Sequence, residues 1–249
     1  MGLTLKTLVG WAMKYDGMII HSERDEFGLI EVVDNRVTRK LYFDSPIEQS
    51  CLYLNAPMTL NFEYQEKIIE RVHAFAANKK KQQPIRALML GMGGGSMATH
   101  LFHTQPNLQM TIVELRQAVI DCAYRFFQLP NEPEIETVQD DAIAFINQNP
   151  FAYDVIIVDI FDAEGLPSAL SDTQFHENLW HSTQSPGLVI FNLWYQWDKQ
   201  QTNGKPITTS ETQQVLNFWE ALDNENTDCH LNRYNIKSSQ NLILEVLKS

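Results

Sequence analysis

The run Gly91-Met92-Gly93-Gly94-Gly95-Ser96 limits what this chain can fold into more than any other stretch. Ala87-Leu88-Met89-Leu90 ahead of it is apolar with no polar face, as in a central parallel strand covered on both sides. From Ser96 onward Met97, Leu101 and Phe102 fall at helical spacing. Strand, glycine turn and helix in direct succession bring backbone N–H groups to a ligand at a helix N-terminus. Glycine tolerates positive φ there and lets a ligand approach the backbone. A second apolar strand, residues 110–113, ends in Glu114. A carboxylate about 20 residues after such a turn is placed to accept both hydroxyls of a ribose. A tight turn without a ligand would also use glycines, and it is the pairing with Glu114 that points to a nucleoside. The turn lacks the G-x-x-x-x-G-K-[ST] pattern of a triphosphate loop.

Apolar runs then alternate with helical patterns. Strands are predicted at 86–90, 110–114, 135–139, 154–159 and 187–193, with helices near 96–104, 116–127, 141–148, 172–183 and 210–222. Residues 228–234 and 241–247 read as two further antiparallel strands. This order predicts a doubly wound parallel sheet with an antiparallel edge. Residues 18–53 are different, with short alternating segments and a hairpin signal at Asp34-Asn35. They predict a small antiparallel β unit of three or four strands, too small to be stable alone. Phe62, Ile68, Ile69, Val72 and Phe75 mark a helix over 60–78, followed by a polar break at 79–84. The expected division is a β unit, residues 1–60, and a nucleoside-binding α/β domain, residues 61–249. The polar stretch 194–207 follows a strand end and reads as a lid or a plain surface excursion.

Charge narrows the partners. The chain has 249 residues and a formal net charge of −12. So acidic a surface repels phosphate backbones and anionic lipid, which argues against nucleic acid and membranes, and it attracts a cationic amine. Cys51, Cys122 and Cys229 are sparse, odd in number and far apart, which suggests a reducing, cytoplasmic setting. The apolar run Leu8-Val9-Gly10-Trp11-Ala12-Met13 is short and closely flanked by Lys6 and Lys14, so it does not read as a signal peptide. No run of 18 apolar residues occurs.

In a sheet of this kind ligands sit beyond the carboxyl ends of the strands. Acidic residues recur there: Glu114, then Asp140-Asp141, then Asp159 with Asp162 three residues on. A single such residue would be an N-cap for the next helix. Several at consecutive strand ends, facing one crevice, exceed what capping explains. Asp141 is placed to accept from an adenine amino group, which leaves Asp159 and Asp162 for a cationic or nucleophilic second substrate. His100 and His103 form an H-x-x-H without a third ligand nearby, so no metal is expected. Trp194, Tyr195 and Trp197 either wall the crevice or pack on a helix. No Ser-His-Asp order or nucleophile elbow appears.

These motifs, in this order, resemble the spermidine synthase family, the polyamine aminopropyltransferases. The family pattern is a Gln-Ser-like strand, Tyr-His/Gln-Glu, GGGDGG, a strand-terminal Glu, Gly-Asp-Gly/Ala and Asp-x-x-Asp. Here they stand as Gln49-Ser50, Tyr64-Gln65-Glu66, the glycine turn, Glu114, Asp140-Asp141-Ala142, and Asp159 with Asp162. The likeness covers roughly residues 17–195. It implies a methyltransferase-like Rossmann-type α/β fold and S-adenosylmethionine, or its decarboxylated form, as co-substrate. It also implies that Glu114 holds the ribose and Asp141 the adenine, with Gln49, Gln65, Gly91, Gly93, Gly94 and Asp140 bordering the nucleoside. Tyr64, Asp159 and Asp162 would face the amine, and Asp159 would orient and deprotonate it.

One departure bears on activity. The aspartate of GGGDGG is replaced by Gly94, as in a spermidine synthase-like subgroup with a G-x-G-G-G-S turn. Without that charge a donor carboxylate is no longer repelled, and the glycine N–H groups become candidates to bind it. The Gly-Pro after Asp-x-x-Asp is altered too, to Ala163-Glu164-Gly165-Leu166-Pro167. The leading expectation is an aminopropyltransferase-like enzyme acting on a small amine. A methyltransferase and a non-catalytic nucleoside-binding protein are the alternatives. A homodimer is expected through the exposed edges of the β unit.

Overall fold

The computed structural model describes residues 15–80, 83–161, 165–197, 206–225 and 227–249. Its first strands, β1 (Met18–Asp25), β2 (Gly28–Asp34), β3 (Thr38–Phe43) and β4 (Glu48–Tyr53), pair in chain order as an antiparallel meander. Asn35 makes the β2–β3 turn, its Oδ1 accepting from the N–H of Val37 at 2.8 Å and of Thr38 at 2.7 Å. Ile30, Val32, Leu41 and Leu52 are buried in the same apolar cluster as residues of the α/β part. The meander therefore shares its core with the α/β part, as its small size requires.

The rest alternates: α1 (Glu63–Ala77), β5 (Ile85–Leu90), α2 (Ser96–Thr104), β6 (Leu108–Glu114), α3 (Gln117–Phe126), β7 (Ile135–Gln139), α4 (Ala142–Gln148) and β8 (Tyr153–Val158). A 3-10 turn (Ser168–Ser171) leads to α5 (Thr173–His181), β9 (Thr183–Trp197), β10 (Pro206–Thr208), α6 (Ser210–Glu225), β11 (Cys229–Ile236) and β12 (Asn241–Lys248). The sheet order is β11-β12-β9-β8-β5-β6-β7, with β10 paired to β9. Apolar residues of α1, α2 and α3 cover one face together with the meander, and those of α4, α5 and α6 cover the other.

The terminal hairpin forms the expected antiparallel edge of the sheet: β11 is outermost, and β12 lies between it and β9 and runs antiparallel to both. Burial explains the placement. Leu242, Ile243, Leu244 and Val246 are all buried, so β12 needs cover on both sides, whereas the polar residues of β11 suit an edge. The described ends of the stretch 194–207 are strand as well, because β9 runs on to Trp197 and pairs with β10. The remainder of that stretch, on which the lid reading rested, lies outside the described residues.

Candidate functional site

Gly91, Gly93 and Gly95 take φ values of +85°, +53° and +76°, the left-handed region that the turn requires. At Gly91 the approach is also close, since a Cβ would stand 2.2 Å from the backbone oxygen of Asp159. Gly94 is glycine for a different reason. Its φ lies outside the left-handed region, but a Cβ would stand 2.9 Å from that of Ser50 and 3.0 Å from the Phe127 ring. Packing as well as charge therefore decides what residue this position accepts.

The turn's N–H groups are largely committed. Gly91 donates to the Val113 oxygen at 2.8 Å, Met92 to Glu114 Oε2 at 3.2 Å and Gly95 to the Met92 oxygen at 3.0 Å. Gly94 donates to Ser50 Oγ at 2.6 Å, and that hydroxyl in turn donates to the Gln49 oxygen at 2.7 Å. Of the glycine N–H groups read as candidates for a donor carboxylate, that of Gly94 is taken by β4.

Glu114 ends β6 beside this turn. Its Oε1 accepts from the Arg116 N–H at 3.1 Å. Oε1 and Oε2 are thus each anchored by a backbone N–H, and the carboxylate is left with acceptor capacity for a ligand hydroxyl. Burial pushes the Glu114 carboxyl up, while the N–H groups of Arg116 and Met92, the Arg116 guanidinium and the Gly93 N–H act the other way. Arg116 is itself buried and grips Asp25 through two bonds of 2.9 and 2.8 Å, so the β1–β2 hairpin is fastened next to the glutamate. Leu115 between them is exposed, an apolar surface at the rim.

The Asp140 N–H donates to the Glu114 oxygen at 3.2 Å, which ties it to the end of β6. Asp141 is exposed and accepts from the Ala144 N–H at 2.9 Å, the N-cap of α4. One carboxylate oxygen of Asp141 is thus used in the cap.

Asp159 follows β8, and its Oδ1 accepts from Asn192 Nδ2 of β9 at 2.7 Å. Burial pushes the Asp159 carboxyl up to about 6, and the bond from Asn192 draws it down. Tyr64, in the first turn of α1, faces it. Burial holds the Tyr64 hydroxyl well above its usual range, the Asp159 charge adds to this, and the Gln65 amide opposes it. Gln65 is buried, and its Oε1 has no partner among the described residues, an acceptor suited to a ligand donor.

Trp194 is half-buried, and a Cβ on Gly165 would stand 3.2 Å from its ring. Tyr195 belongs to the core, its hydroxyl donating to the Ile236 oxygen at 3.2 Å. Asp162 and the Trp197 side chain lie outside the described residues. His100 bonds the Met58 oxygen and His103 packs on Phe102, so each has a structural partner.

The glycine turn, Glu114, Asp140, Asp159, Tyr64, Gln65 and Gln49 are thus linked around the carboxyl end of β5, β6 and β8. Sequence reasoning gave no role to Ser50, Arg116, Asn192 or Asn241. A signal existed for Asn192, a lone amide inside the apolar run Leu188-Val189-Ile190-Phe191-Asn192-Leu193.

Strand order, inserted antiparallel strand and glycine turn together define a methyltransferase-type α/β fold with an added antiparallel sheet. The chain belongs to the spermine/spermidine synthase family, whose domain matches residues 61–205. It is 29% identical over 157 residues to a polyamine aminopropyltransferase of Neisseria meningitidis serogroup A, covering 63% of this chain and 58% of that relative's length. A probable spermidine synthase from Corynebacterium glutamicum overlays with a TM-score of 0.73 at 20% identity, over 92% of this chain and 80% of that one. Human methyltransferase-like protein 13, solved with SAH, overlays at 0.58 and 18% identity, over 73% of this chain and 82% of that one. The two structures share the fold.

Proposed function

We propose that this protein transfers an aminopropyl group from decarboxylated S-adenosylmethionine to a small amine, as the name of its Neisseria relative suggests. The observation that carries this reading is the Asp159 carboxyl. It is sunk beside the nucleoside turn, held at one oxygen by Asn192 and faced by Tyr64. An amine reaches such a site as a cation and must lose a proton before it attacks. A carboxylate with its acidity shifted towards neutrality suits that task. The amine nitrogen then bonds to the aminopropyl carbon next to the sulfonium, and the carbon–sulfur bond breaks to leave a neutral thioether. The proton passes to Asp159. Alignment of the two substrates supplies most of the acceleration.

In this reading Glu114 takes the ribose hydroxyls. Gln49, Gln65, Asp140, Asp141 and the glycine turn border the nucleoside, and Tyr64 lines the amine site. Gly94 gives little support to a methyl donor, since its N–H is already engaged by Ser50. The chain divides into a β unit, residues 1–60, and a nucleoside-binding part, 61–249. The assembly is a homodimer, formed through the edges of the meander. The setting is the cytoplasm, where buried free cysteines such as Cys51, Cys122 and Cys229 persist.

The test is mass-spectrometric. The purified protein is incubated with decarboxylated S-adenosylmethionine and a panel of linear diamines and polyamines, with the Asp159→Ala variant as control. Aminopropylated amine and thioether nucleoside are expected from the wild type only. Methyl transfer from S-adenosylmethionine, or nucleoside binding without any turnover, would replace this reading with one of its alternatives.

A further inference from the structure

Asn192 is a polar residue in an apolar strand, and only 2% of it is exposed. A buried amide is costly unless both of its ends are hydrogen-bonded, and both are. Its Nδ2 donates to Asp159 Oδ1 at 2.7 Å, and its Oδ1 accepts from Asn241 Nδ2 at 2.8 Å. Asn241 begins β12, the inserted antiparallel strand, and is buried as well. The pairing of β9 with β12 sets Asn192 opposite Ile243 and Asn241 opposite Trp194, so the two amides share a face and meet on the diagonal. An amide alone in this place could turn over and set its oxygen against the carboxylate. Asn241 prevents that, because its N–H needs the Asn192 oxygen where it is.

We propose that Asn192, oriented by Asn241, is a positioning residue that holds Asp159 Oδ1 and leaves Oδ2 to receive the proton of the incoming amine. The proposal rests on the role given to Asp159 above. It also gives β12 a part in the site, although that strand supplies no group to the substrate.

The surroundings of Asp159 make the proposal measurable. The α1 helix presents Tyr64, which stays protonated throughout the working range. The backbone of Gly91 comes from the turn after β5, and β9 contributes the Asn192 amide. Among the described residues the Asn192 bond is therefore the contact that favours the charged carboxylate. Removing it moves the Asp159 titration to higher pH.

The experiment uses protein labelled with 13C at the aspartate carboxyl carbons, with Asp159 assigned through Asp159→Asn. Asn192→Leu keeps the volume of the side chain and removes the donor. It is expected to raise the Asp159 midpoint by about one pH unit. The acid limb of kcat/KM should move with it, and kcat at its plateau should fall roughly tenfold with little change in KM for the amine. Asn241→Leu leaves the donor but frees the amide to turn, and about half that shift is expected. An unchanged midpoint in folded Asn192→Leu overturns the proposal. Should that variant not fold, an unchanged midpoint in Asn241→Leu does so. If the wild type transfers no aminopropyl group, the proposed function fails, while the carboxyl titration still decides what Asn192 does to Asp159.

Discussion

Replacing Asp159 by asparagine should make the protein more stable and destroy its activity. The carboxyl is shifted from 3.8 to about 6 in the folded chain, so the fold holds the proton more tightly than the unfolded chain does. For an acid shifted in this direction, stability is lost as pH climbs from about 4 to about 6 and stays lost above. A shift of about 2 units is worth about 3 kcal/mol. Part of Asp159 reaches the crevice, and solvent screening brings the expected gain at pH 8 to between about 1 and 3 kcal/mol. Asparagine carries no charge at any pH, and its oxygen can still accept from Asn192. Equilibrium urea unfolding of wild type and variant, at steps from pH 4 to pH 8, is the assay. The variant should lead at pH 8 and the gap should close towards pH 4, while aminopropyl transfer at pH 8 falls by at least about a hundredfold. A variant less stable than wild type at pH 8, or a gap that does not change with pH, would refute the reasoning.

Two further substitutions test the nucleoside side of the crevice. Glu114→Gln keeps the shape of the side chain and should weaken binding of decarboxylated S-adenosylmethionine by roughly tenfold to a hundredfold in calorimetry. A loss of less than about threefold would place the ribose elsewhere. Ser50→Ala removes the acceptor for the Gly94 N–H and should cost about 1–3 kcal/mol in urea unfolding. A cost near zero would show that this donor finds another partner without strain.

The glycine turn and the carboxylate beside it were legible because their pieces are close in sequence. The strand, the glycines and the next strand's terminal Glu114 are successive, and their placement follows from local backbone geometry. The alternation of elements gave the sheet for the same reason. What stayed hidden depends on distant pairing. Ser50 meets Gly94 across 44 positions, and Asn192 meets Asn241 across 49. No local pattern marks either contact. The place of β12 was hidden too, because strand order is settled by which strand needs cover on both sides. Gly94 was read for the charge it lacks, and the ring and Cβ pressing on it appear only when Phe127 and Ser50 are brought alongside. At Asp141 capping and binding call for the same residue at the same place, so the sequence alone does not separate the two roles.

The bond from Gly94 to Ser50 also constrains how such a protein can be altered by recombination. The turn is encoded well downstream of the strand that completes it, and a gene crossover between them would exchange the meander while leaving the α/β part intact. A donated meander of identical shape but lacking a hydroxyl at this position would leave an N–H unanswered in the turn. One carrying a bulkier side chain would press on the same glycine. The two segments therefore have to be inherited as a matched pair, and chimeras that respect every strand boundary can still fail at this single contact.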